Sequence, residues 1–215
     1  MTAICSKLRL NYIINPYLYR MNFLAHIFLS GPPGEVMVGN FIADSVRGNS
    51  VNNYSGGIQE GIKVHRAIDT FTDQHPIVLK SKERLRNKFG KYAPVVADVY
   101  YDHFLACSWN EFSELSLRDY TKQVYSFLQN YYPVFPLRTQ RFYDYMRQYD
   151  ILFSYSEIAG IDRVMKGMAR RARFESGMER AAEELAANYE AYKAEFHLFF
   201  PEIQQHICNL APCRS

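Results

Sequence analysis

Cysteine is scarce in this 215-residue chain. Cys5, Cys107, Cys208 and Cys213 form no CxxC pair and no Cys/His spacing suited to a metal, which argues against a disulfide framework and against thiolate-bound zinc. Only Cys208 and Cys213, in a Pro-containing tail, are near enough in sequence to bridge. Without a recognisable signal peptide, all four are read as reduced thiols of a cytoplasmic protein. No apolar run approaches the roughly 18 to 20 residues that span a bilayer, so no membrane span is expected. The P-loop, the GxGxxG turn and the nucleophile motifs built on Ser or Cys are missing. So are internal repeats and any strand-like alternation of useful length. What the chain does have is apolar mass: 48% hydrophobic and 15% aromatic residues bury the core of one domain, or at most two small ones.

Acid is absent from the leader. Residues 1–20 hold Lys7, Arg9 and Arg20 with no Asp or Glu and so account for the formal charge of +3, because from Met21 onward 22 basic residues face 22 acids. The leader's charges lie inside it and Asn15-Pro16 interrupts it, unlike a secretory signal. Met21, where strong patterning begins, is therefore read as the working start, with residues 1–20 an extension, 21–203 the domain and 204–215 a tail. A neutral domain also removes the simplest argument for nucleic acid as a partner, and none is expected.

Gly and Pro divide the remainder into stretches of helical spacing. Met21–Ser30 is a short apolar segment closed by Gly31-Pro32-Pro33-Gly34. Helices are expected over Glu35–Val46, Gly57–Gln74, Ile77–Phe89, Pro94–Cys107, Ser116–Tyr131, Pro136–Gln148, Ser154–Arg173 and Ser176–Phe199, with a polar loop at 49–56. The expected fold is all-α, a single-domain helical bundle with short connections.

His65, Asp69 and Asp73 follow one another at i, i+4 steps, which stacks an imidazole and two carboxylates along one helix face. Such a face can ligate a divalent ion or pair a base with its orienting acid, although the same spacing is more commonly that of a solvated face. The helix PVVADVYYDHFLAC sets Asp98, Asp102 and His103 among apolar residues, where carboxylates are costly to bury unless paired or metal-bound. His26 and Asp44 are single polar residues in apolar surroundings. His and Asp offered from separate helices without thiolates favour a hard or borderline ion such as Mn²⁺ or Mg²⁺ over structural zinc.

Four segments in this order, MNFLAHIFLS, VGNFIADSVRG, GIKVHRAIDTFTDQHP and DVYYDHFLACSW, resemble the acyl carrier protein phosphodiesterase family, a divergent branch of the HD-domain metal-dependent phosphohydrolases. The likeness runs from Met21 to about Phe200. It implies an HD-domain-like helical fold and hydrolysis of the phosphodiester joining 4′-phosphopantetheine to a serine of holo-acyl carrier protein, a turnover step of fatty acid biosynthesis. It implies Mn²⁺ as cofactor, with Mg²⁺ or another divalent ion as the alternative. Carried over residue by residue, it points to Asp44, His65, Asp69, Asp102 and His26 as metal ligands. It points to His65, Asp69, Asp102, His103 and Arg66 as catalytic residues, with Asp73 from the following TD pair. The adjacent pair here is Asp102-His103, reversed from the HD order, so the ligand set of the wider superfamily does not transfer directly.

In this reading an activated water attacks phosphorus, a carboxylate or His takes its proton, a protonated His assists the leaving serine, and Arg66 offsets phosphoryl charge. An acidic carrier protein calls for a basic docking surface. Lys80, Lys82, Arg84, Arg86, Lys88 and Lys91 supply one segment, and Arg163, Lys166, Arg170, Arg171 and Arg173 a second. Two rivals remain at this point: a phosphohydrolase acting on a nucleotide or other small phosphodiester, and a non-catalytic helical module that binds the carrier protein.

Overall fold

The computed structural model describes residues 23–210, and the expectations for the leader, for Met21, for Cys5 and for a Cys208–Cys213 bridge fall wholly or partly outside that range. Among the described residues the chain is all-α, with eleven α-helices joined by short turns and 3-10 segments and no strand. They are α1 (Phe23–Leu29), α2 (Glu35–Ile42), α3 (Gly56–Gln74), α4 (Pro76–Phe89), α5 (Ala93–Cys107), α6 (Leu117–Asn130), α7 (Leu137–Gln148), α8 (Ile151–Ser154), α9 (Ile158–Ala169), α10 (Ala181–Ala187) and α11 (Tyr189–Leu210). None is long and apolar enough to cross a membrane.

α5 is the central helix. Twelve of its fifteen residues are buried, which is why its sequence is apolar almost all round instead of striped. Pro94 falls in its first turn, where a missing N–H leaves no broken bond. Around it pack α1, α4, α9 and α11.

α2 and α3 meet backbone to backbone, and the reason is a glycine on each. A Cβ on Gly39 would stand 2.0 Å from the carbonyl oxygen of Ile58, and one on Gly61 would stand 2.1 Å from that of Val36. No other residue permits this approach. It brings Asn40, next to Gly39, within reach of the α3 side chains that form the site.

Two expected helices change their limits. Ser154–Arg173 shortens to α9, because α8 ends at Ser154, the hydroxyls of Ser154 and Ser156 donate to the carbonyls of Ile151 and Phe153, and Glu157 is extended. Ser176–Phe199 becomes a 3-10 turn, α10 and α11, with Asn188 leaving helical geometry and donating its amide to the buried Glu184. α11 then runs past Phe199 and through Pro201 to Leu210, into the stretch expected to be a tail. Burial of Ile203 and Ile207 outweighs the one backbone bond that proline removes.

Candidate metal centre

α1 and α3 supply two buried histidines whose rings lie 4.3 Å apart, and α2 supplies the amide that aims them. Asn40 Nδ2 donates to the carbonyl oxygen of His26 and to Ser30 Oγ, each at 2.8 Å. A carbonyl can only accept, so the Asn40 amide oxygen must face the other way. There it accepts from His26 Nδ1 at 2.8 Å and His65 Nδ1 at 2.9 Å. Both imidazoles therefore carry a hydrogen on Nδ1, and in the neutral form they present a bare Nε2.

Those two Nε2 atoms are buried and have no hydrogen-bond partner. Asp69, one turn after His65, brings Oδ1 to 3.4 Å from His26 Nε2 and Oδ2 to 3.5 Å from His65 Nε2. One ligand atom from each of the three residues falls within 4.8 Å of the others. Two nitrogen lone pairs and a carboxylate converging without a hydrogen between them repel one another unless a cation sits among them. Nitrogen and oxygen donors in this mixture suit a divalent ion of borderline character, and the shared Asn40 is the outer partner that metal-binding imidazoles require. Asp44, at the end of the VGNFIAD segment, stands at the mouth with Oδ1 3.5 Å from His65 Nε2 and its side chain 35% exposed. Asn40 was not among the expected site residues. Its place one residue after a close-packing glycine, between His26 and Asp44, carries no signal that periodicity reads.

The YDHF segment is not in this cluster, which corrects the roles expected for Asp102 and His103. Asp102 is fully buried and accepts from the backbone N–H of Leu24 at 3.1 Å and of Ala25 at 2.8 Å, closing the start of α1. Burial pushes its carboxyl well above the usual range, and those two N–H bonds oppose the shift. His103 donates from Nδ1 to the carbonyl of Tyr155 at 2.7 Å and accepts at Nε2 from the Tyr189 hydroxyl at 3.1 Å, so both nitrogens are used. Its pKa is lowered by burial, with the Tyr155 bond in opposition. Asp73 also leaves the site, because Lys82 Nζ holds its Oδ1 at 2.8 Å. Arg66, one residue from His65 and so about 100° round α3, is exposed.

Asp98, one turn before Asp102, opens onto a cleft of about 20 Å³ lined by Ala25, Ile68, Thr72, Tyr101 and Phe199. Burial raises its carboxyl from 3.8 to about 7, Lys82 lowers it, and Asp69 and Asp73 raise it further. Below pH 3.8 the group is neutral in both folded and unfolded chains; between 3.8 and 7 only the unfolded chain ionises, so stability falls as pH rises through that window. In metal-free protein, Asp98→Asn is expected to raise stability at pH 8 by on the order of 2 kcal/mol, about 4–8 °C in Tm for a domain this size, and to change little at pH 4. Differential scanning calorimetry at the two pH values checks this. An equal Tm shift at both would refute it.

Two of the expected docking cations, Lys82 and Arg84, are turned inward. Arg84 makes a two-point bond to the buried Glu195 at 2.6 and 2.7 Å, which raises its pKa further, and Ser81 adds a third bond to that carboxylate at 2.6 Å. Lys80 approaches Glu195 at 3.4 Å, Lys82 is buried against Asp73, and Lys88 pairs with the buried Glu184. These pairs fasten α4 to α10, α11 and the end of α3, so Lys82 and Arg84 are corrected from docking groups to internal partners, while Lys88 reaches Glu184 with its side chain still largely exposed. Arg86 is exposed and pairs with Glu83 at 3.5 Å. Arg170 is exposed, and Arg171 lies 5.6 Å over the Tyr145 ring.

Residues 21–203 match the family described as acyl carrier protein phosphodiesterase. Proteins of that name similar to this chain include one from Photorhabdus laumondii subsp. laumondii, 31% identical over 190 residues, which covers 88% of this chain and 96% of the relative. One from Enterobacter sp. (strain 638) is 34% identical over 190 residues, 88% of this chain and 98% of the relative. A third, from Serratia proteamaculans, is 32% identical over 186 residues, 86% and 96%. No solved structure matches the chain.

Proposed function

The chain belongs to the acyl carrier protein phosphodiesterase family, and from that premise we propose that it hydrolyses holo-acyl carrier protein to the apo protein and 4′-phosphopantetheine with a divalent ion held by His26, His65 and Asp69. The observation that carries the metal is the pair of buried, partnerless Nε2 atoms aimed at one carboxylate. Mn²⁺ is the ion the family resemblance implies, with Mg²⁺ the alternative, and the imidazole ligands favour the softer of the two. When bound, the ion supplies Lewis acidity toward the phosphodiester and lowers the pKa of the attacking water.

The chain's own residues do the rest. Asn40 fixes both Nδ1 hydrogens and so keeps both Nε2 lone pairs directed inward. Burial of the two rings keeps bulk water off the donor atoms. Asp44, half-exposed at the mouth, is placed to take the proton of the attacking water on Oδ1 and return it to the serine oxygen as that oxygen leaves. The free thiols of Cys107 and Cys208 fit a cytoplasmic setting.

The test is a mass assay on purified holo-acyl carrier protein. Conversion to the apo mass with Mn²⁺, lost on chelation and restored by adding the ion back, is the expected result. Intact holo protein in the presence of both Mn²⁺ and Mg²⁺, or faster cleavage of a nucleotide or aryl phosphodiester, would defeat the proposal.

A further inference from the structure

The mouth of the centre has a basic wall that comes from α7, a helix with no counterpart among the segments that carry the family resemblance. Thr139, in the first turn of α7, donates to Ser45 Oγ at 2.8 Å, which docks the start of α7 on the 3-10 turn Ala43–Ser45 that bears Asp44. Phe135, just ahead of α7, and Phe142 within it pack on Phe41 of α2, with ring centres 5.3 and 6.3 Å away. Arg138, beside Thr139, is thereby held half-buried and in electrostatic contact with both Asp44 and Arg47. The bond from Thr139 to Ser45 thus sets the half-buried Arg138 beside the turn that bears Asp44, with Arg47 within its electrostatic reach. Burial lowers the pKa of Arg138, Asp44 opposes that and Arg47 adds to it. The planar guanidinium fork matches the paired oxygens of an oxyanion.

We propose that Arg138, with Arg47 near it, is the phosphate-binding residue of this site and takes the non-bridging oxygens of the phosphodiester, on the opposite side from the ion that His26, His65 and Asp69 would hold. This rests on the phosphodiesterase reading and assigns to α7 the charge-offsetting role expected of Arg66. The covalent chemistry is unchanged: Arg138 forms no bond and transfers no proton.

The test uses the full chain with Arg138→Ala and Arg138→Lys. Removing one donor to a developing oxyanion lowers turnover by about 10²- to 10³-fold, so Arg138→Ala is expected to lose at least about 10² in kcat/KM for holo-acyl carrier protein. Its inhibition constant for free 4′-phosphopantetheine should rise at least about tenfold, the range of one lost charge-assisted bond. Arg138→Lys should fall between, because it keeps the charge and loses the fork. Mn²⁺ affinity, read by calorimetry, should stay within about twofold, since no metal-binding atom is touched. An unchanged kcat/KM in both variants overturns the inference. So does a loss confined to KM for the carrier protein with an unchanged inhibition constant for 4′-phosphopantetheine, which marks a carrier-docking residue instead. If the wild type fails to cleave holo-acyl carrier protein yet binds 4′-phosphopantetheine through Arg138, the function reading falls and the phosphate site stands. Should Arg138→Ala fold poorly, Arg138→Lys carries the comparison.

Discussion

His65→Ala is expected to lose at least about 10³-fold in hydrolysis of holo-acyl carrier protein and most of its Mn²⁺ affinity, while its helical circular dichroism is retained. The size follows from position. His65 gives the centre one of two inward Nε2 atoms, anchors to Asn40, and stands 3.5 Å from both Asp44 and Asp69. Loss of an outer partner of a metal-binding imidazole lowers affinity or activity by about 10–100-fold, which is the range expected for Asn40→Ala, and loss of the donor itself exceeds it. The substitution removes a ring at the rim of the core, not a wedge between helices, so the fold should survive. Titration calorimetry with Mn²⁺ and the mass assay measure the two effects independently. A folded His65→Ala protein that binds Mn²⁺ and turns over like the wild type would refute the centre.

Asp102→Ala is expected to act on the fold first. The change strands the N–H groups of Leu24 and Ala25 in the interior and leaves a cavity beside α5. Each stranded donor costs about 1–3 kcal/mol, so the variant should lose about 3–5 kcal/mol, or roughly 6–20 °C in Tm for a domain of this length. Activity should fall as well, because His26 directly follows Ala25 on the helix that Asp102 holds. The two effects separate with temperature. At 10 °C with saturating Mn²⁺, Asp102→Ala should recover a substantial share of turnover and His65→Ala none. An Asp102→Ala protein with wild-type Tm and no activity at 10 °C would return Asp102 to the catalytic set.

The contrast between these two variants shows how differently the two motifs could be read. His65 and Asp69 are one helical turn apart on α3, so their meeting was legible from spacing alone. Asp102 and His103 carried an equally strong sign, ionisable groups in an apolar helix, and that sign was correct about burial. It could not say what lay opposite. The start of α1 and the Tyr155 carbonyl, 78 and 52 residues away, satisfy them. The same holds for α4, whose cations look like a docking face until Glu195, 111 residues from Arg84, closes on them. Arg138 shows the converse, an ordinary surface arginine by sequence that Thr139 and Ser45 bring to the mouth of the site.

From sequence alone followed the all-α class, most helix limits, set by Pro76, Gly90 and Pro94, and the candidacy of His26, Asp44, His65 and Asp69, which the fold brings together. These depend on turn chemistry and on a 3.6-residue period, both local. Tertiary structure alone decided that Asn40 orients two imidazoles, that the YDHF pair lies outside the cluster of His26, His65 and Asp69, and that Lys82 and Arg84 pair inward while the start of α7 docks on the turn bearing Asp44. A buried polar group must find a partner wherever the packed chain provides one, and only the long-range crossing of helices, such as the glycine contact of α2 on α3, says which partner that is.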